Sequence, residues 1–105
     1  MAKNVINEKG FKVIALTPNE CFQIGFGAYY ELICDNCNSI IIDYDEVYYI
    51  PVLNRIFCQQ CLVDWYDNAT YYPEDKRYED RKYEMLIANL KANNIVIEEH
   101  TKKIL

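Results

Sequence analysis

A chain of 105 residues, 51% apolar and with a formal charge of −5, is sized for a single domain with a modest core. The acidic balance argues against general affinity for nucleic-acid backbones and favours a basic partner. The apolar runs are too short to span a membrane, and the start Met-Ala-Lys-Asn-Val-Ile-Asn-Glu-Lys-Gly lacks the apolar stretch of a signal peptide, which points to a cytoplasmic chain.

In chain order, Val5, Ile6, Phe11, Val13, Ile14 and Leu16 surround Glu8-Lys9-Gly10, the pattern of two short strands about a turn. Thr17-Pro18-Asn19-Glu20 reads as a capping box with proline at the first helical position, and Gly25 and Gly27 end that helix early. Tyr29 to Ile33 is expected as a strand leading into Cys34, and residues 1–29 as a β/turn extension ahead of the main module. Ile40-Ile41-Ile42 is strand-like and closes on the acidic turn Asp43-Tyr44-Asp45-Glu46. Val47–Ile50 and Arg55–Phe57 flank Pro51-Val52-Leu53-Asn54, a hairpin that delivers Cys58. Leu62, Trp65, Tyr66 and Ala69 then recur at helical spacing. Pro73-Glu74-Asp75 opens a second, charged helix over 73–94, with Tyr83, Leu86, Ile87 and Leu90 as its apolar stripe and Asn93-Asn94 as its end. Ile95-Val96-Ile97 is a candidate late strand, and 95–105 as a whole reads as a polar tail.

Cys34 and Cys37, then Cys58 and Cys61, form two C-x-x-C pairs. Two such pairs suit a closed tetrahedral S₄ shell around structural zinc, and in a reducing compartment that reading outranks disulfides. Zinc bound by four thiolates takes the chain to about −7. A closed shell leaves no open position for water. No carboxylate pair, Ser/His/Asp set or phosphate loop accompanies it, so the chain reads as a binder and not an enzyme, with no small-molecule substrate implied. Cys21 reads as a small buried hydrophobe and His100 as a surface residue. Trp65 reads as the packing residue between hairpin and helix, with a partner-facing role as its alternative. The pairs Tyr29-Tyr30, Tyr48-Tyr49 and Tyr71-Tyr72 each place one ring inward and one outward if extended. Trp65, Tyr48, Tyr49, Asp43, Asp45 and Glu46 are therefore the candidate partner surface.

Knuckle, hairpin and ligand-bearing helix, with Cys58 and Cys61 in the helix's first turn, is an order that resembles treble-clef zinc modules, in particular LIM-like halves, over 30–72. The resemblance implies an α+β fold, a treble-clef-like core with a C-terminal helix, and a structural zinc on Cys34, Cys37, Cys58 and Cys61. Cys58 stands where a LIM half often has histidine. The wealth of Asn, Ile, Lys and Tyr also resembles small phage or mobile-element proteins, among which acidic inhibitors of host machinery are one population. The expected function is a protein-interaction module. The alternatives are a zinc-organised DNA- or RNA-binding regulator, with the 73–92 helix as reader, and a rubredoxin-like electron carrier.

Overall fold

The computed structural model describes residues 2–27 and 31–103, with backbone alone for 99–103. Among these the chain is α+β. Strands β1 (Ala2–Ile6), β2 (Ile14–Leu16), β3 (Val47–Ile50), β4 (Arg55–Phe57) and β5 (Ile97–Lys103) form one mixed sheet in the order β4-β3-β2-β1-β5. Helices α1 (Pro18–Gln23), α2 (Gln59–Asn68) and α3 (Lys76–Ala92) complete it, the last entered through a 3₁₀ turn at Pro73–Asp75. No helix among the described residues is long and apolar enough to cross a membrane.

Local chemistry accounts for most boundaries. Thr17 caps α1 reciprocally: the Glu20 N–H donates to its hydroxyl, and its own N–H donates to the Glu20 carboxylate at 2.8 Å. Asn54 closes the β3–β4 turn at φ 54, and Asn94 follows α3 at φ 59, left-handed positions that asparagine tolerates. The α3 stripe docks as its spacing predicts, with Leu86 and Leu90 buried and Tyr83 and Ile87 half-buried.

Three expectations change. Residues 2–16 are no peripheral extension, because β2 pairs with β3 and β1 with β2, so the N-terminal strands lie inside the sheet. Residues 97–103, expected as a polar tail, form an edge strand parallel to β1. The Ile40-Ile41-Ile42 strand shrinks to one bridge, Ile33 opposite Ile40. Of the strand expected over 29–33, Tyr29 and Tyr30 lie outside the described residues.

The charged face of α3 also holds a surprise. Glu79, off the apolar stripe of the helix, is 1% exposed and accepts from the Lys12 N–H at 2.9 Å. One helical position on, Asp80 accepts from Lys12 Nζ and Lys76 Nζ. The first half of α3 is thus pinned to the β1–β2 connection by carboxylates.

Candidate metal centre

The first cysteine pair sits on a small hairpin. Across the Ile33–Ile40 bridge, Cys34 N–H donates to Ser39 O at 2.9 Å and Ile41 N–H to Leu32 O at 2.8 Å. Asn38 N–H donates to Cys34 O at 3.0 Å, and Asn38 itself takes φ 63, which turns the chain tightly enough to bring Cys37 back over Cys34. This knuckle is fastened to β4 at one residue. The Asp35 N–H donates to Ile56 O, and the Ile56 N–H donates to Asp35 Oδ2, each at 2.8 Å. The second pair belongs to α2, with Cys58 at its N-cap and Cys61 in its first turn, where free N–H groups and the helix dipole favour thiolate.

The four sulfurs converge, and all lie within 4.8 Å of one another. Cys37 Sγ and Cys58 Sγ are 4.0 Å apart. With Zn–S bonds of about 2.3 Å, the edge of a tetrahedral S₄ shell is about 3.8 Å, so the cluster needs only slight contraction to hold an ion such as zinc. Cys34, Cys58 and Cys61 are buried and Cys37 is exposed. Neighbours support the sulfurs: the Cys58 N–H donates to Cys34 Sγ at 3.3 Å, and the Cys37 thiol donates to the Ser39 hydroxyl oxygen at 3.1 Å.

Electrostatics explain why a cation belongs here. Hydrogen bonding with the Ser39 side chain and backbone holds the Cys37 thiol down at about 6. Burial pushes Cys58 up. At Cys61 a hydrogen bond from Asn36 pulls downward, but burial and the Cys58 and Cys37 sulfurs outweigh it and carry the thiol to about 12. Sulfurs this close cannot all ionise against one another; a dication at their centre reverses that balance and makes four thiolates the stable form.

The other expected residues divide. Cys21 is fully buried, and burial followed by the Glu20 charge pushes its thiol to about 12, as an inert core residue requires. Trp65 is half-buried against Phe11, ring centroids 4.7 Å apart, so it packs α2 onto the β1–β2 turn. Tyr71 joins Phe11 at 5.3 Å while Tyr72 is exposed, the in-and-out arrangement expected of that pair. For Tyr48 and Tyr49 the expectation fails, because both are buried. β3 is an inner strand covered on both faces: Tyr49 stacks on Phe26 and donates to Asn54 Oδ1 at 2.7 Å, and Tyr48 donates to Glu46 Oε1 at 3.3 Å. Neither ring stands out on the surface. Asp43 and Asp45 are exposed, and Glu46, half-buried, pairs with Lys3 Nζ at 3.6 Å. These acids border an open cleft of about 500 Å³ with Tyr44, Gln59 and Gln60. The side chain of His100 lies outside the described ones.

Three supporting residues escaped the sequence reading: Asp35, Ser39 and Lys9. Lys9 Nζ donates to the carbonyls of Tyr66 and, at 2.9 Å, Ala69, closing the end of α2 opposite the cysteines. A polar residue inside the first C-x-x-C loop was the available signal for Asp35, and the polar Asn38-Ser39 just after that loop was the signal for Ser39; nothing local marked Lys9. Compared with protein-family models, curated proteins and solved structures, the chain finds no match.

Proposed function

We propose that the chain is a zinc-organised protein-interaction module with a treble-clef-like core, acting by binding and not by catalysis. The observation that carries this reading is the closure of the Cys₄ cluster. Four thiolates fill a tetrahedral shell, three of them buried, and leave no coordination position for a substrate or an activated water. Knuckle, hairpin and a helix that starts on the second pair follow one another in the treble-clef order. Zinc in this reading is structural, and its contribution is folding free energy and the fixed orientation of the knuckle. An acidic chain suits a protein partner with a basic surface, the profile of a small inhibitor that covers such a surface.

The nucleic-acid alternative draws little support from α3. Lys76 and Lys12 are engaged by Asp80, and Lys82 lies over the Tyr78 ring at 5.5 Å. Two measurements test the proposal. Elemental analysis of purified protein should give one zinc per chain; iron, with a coloured redox-active preparation, would promote the electron-carrier reading. Binding to generic duplex DNA should be no tighter than about 10⁻⁴ M at physiological salt. Submicromolar affinity for a defined DNA sequence, lost on replacing Arg77 and Arg81, overturns the proposal.

A further inference from the structure

Charge along the chain is segregated. No lysine or arginine occurs between Lys12 and Arg55, whereas Glu31, Asp35, Asp43, Asp45 and Glu46 all fall on the knuckle hairpin and the turn after it. Four metal-bound thiolates with Zn²⁺ add a further charge of about −2 at the same place. Among the described residues, Glu31, Asp35, Asp43 and Asp45 form no ion pair.

The same hairpin has two apolar faces. Leu32, Cys34 and Ile41 point inward and are buried. Ile33 and Ile40 are bridge partners, so their side chains share the opposite face. They are 40% and 62% exposed. An antiparallel hairpin with one solvated face normally carries polar residues there. Here two β-branched hydrophobes occupy it, on a stretch whose charged residues are all acidic. From Ile33 the apolar surface continues into a cleft of about 600 Å³ lined by Phe26, Tyr49 and Ile56, with Arg55 at its side.

We infer that the outer face of the knuckle hairpin, centred on Ile33 and Ile40, is the docking surface of the module, and that its occupant is a basic amphipathic segment of another protein. The inference rests on the protein-interaction reading above and deepens it. Apolar side chains of the segment cover Ile33 and Ile40 and reach the cleft beside Ile33, while its lysines or arginines meet Asp35, Asp43 and Asp45. An acidic segment is repelled, and a purely polar basic one leaves the isoleucines wet. Metal acts here by position, because the knuckle that carries this face is fixed by Cys34 and Cys37.

The test uses the zinc-loaded full chain and a synthetic helical peptide of about fifteen residues with one leucine face and one lysine face. A leucine/glutamate peptide and a serine/lysine peptide of equal length are its controls. Amide chemical-shift changes should centre on 31–43, and the leucine/lysine peptide should bind tightest. Ile33→Ser with Ile40→Ser should weaken it about tenfold, with zinc content and melting temperature unchanged. Asp43→Asn with Asp45→Asn should steepen no apolar loss but should flatten the salt dependence. Equal binding of the three peptides, shift changes centred on another face, or an intact affinity in the isoleucine double variant overturns the inference. Should a native protein partner bind the double variant unimpaired, the surface assignment falls while the interaction module stands. If only nucleic acid binds the chain, both fall.

Discussion

Removing the metal is the most demanding perturbation, because α2 has two anchors. Its first turn holds Cys58 and Cys61, while its far end is tied by Lys9 and by Trp65 on Phe11. A structural zinc contributes on the order of 10 kcal/mol in small peptides, comparable to the whole net stability of about 5–15 kcal/mol expected for a domain. The Phe11 cluster is worth less: truncating a buried phenylalanine costs about 3–5 kcal/mol. Metal loss should therefore unfold the β3–β4 hairpin, the knuckle and α2 together, although Trp65 touches Phe11 and is not itself a ligand. The assay is tryptophan emission during titration with a strong chelator, read beside far-ultraviolet circular dichroism. A red shift of Trp65 and loss of helix should follow zinc release with one midpoint. Phe11→Ala should red-shift Trp65 as well, yet keep one zinc per chain. If the chelated protein keeps its emission maximum and melting temperature, the core stands on apolar packing and the metal is peripheral, which refutes the argument.

Further expectations follow from individual contacts. Cys21→Ser should leave zinc stoichiometry untouched by elemental analysis, since Cys21 is buried apart from the cluster; a fall to half occupancy or less makes it a ligand. Glu79→Leu leaves the Lys12 N–H without its acceptor and should cost about 1–3 kcal/mol in urea unfolding, with Glu79→Gln milder because the amide oxygen still accepts. Asn54→Gly should be tolerated apart from the lost Tyr49 bond, whereas Asn54→Ala should cost about 1–2 kcal/mol more at this positive φ. Asp80 is held below its ordinary value of 3.8 by hydrogen bonds from Lys12 and then Lys76. Its contribution is fully present above that value and is lost as pH falls through the lowered one, so Asp80→Asn should flatten that part of the acid-unfolding curve.

Features written in short-range chemistry were legible in the sequence. The Thr17 box, the Asn54 turn, the start of α2 on the second cysteine pair and the Asn93-Asn94 end of α3 each depend on residues within a few positions. The convergence of Cys34, Cys37, Cys58 and Cys61 was legible too, because metal geometry ties those spacings to one point. Features set by distant pairing were not. Alternation in β3 assumed one wet face, but β2 and β4 flank the strand and Phe26 covers Tyr49, so both tyrosines are inside. Residues 97–103 carry no apolar alternation, and only pairing with β1 makes them a strand. Glu79 looks like its charged neighbours on α3; its burial comes from a backbone N–H contributed by Lys12, far away in the chain.

The position of the knuckle joins the sheet to the cysteine cluster. β4 is the sheet's edge, and an exposed edge invites pairing with other chains. Asp35 meets Ile56 with both a donor and an acceptor, so the knuckle saturates that residue of the edge as a short strand would. The contact is only one residue long, too little to hold a hairpin in place by itself, since a two-stranded hairpin is at best marginally stable in water. An ion held by all four cysteines would let Cys34 and Cys37 supply the missing restraint, since Cys58 and Cys61 follow β4 directly. One cluster of thiols thereby caps the edge, starts α2 and fixes the outward face of Ile33 and Ile40. A change at Asp35 should consequently be felt in metal retention: Asp35→Ala should speed zinc transfer to a chelator without altering the ligand set, whereas an unchanged transfer rate would mean that the sulfurs hold the knuckle unaided.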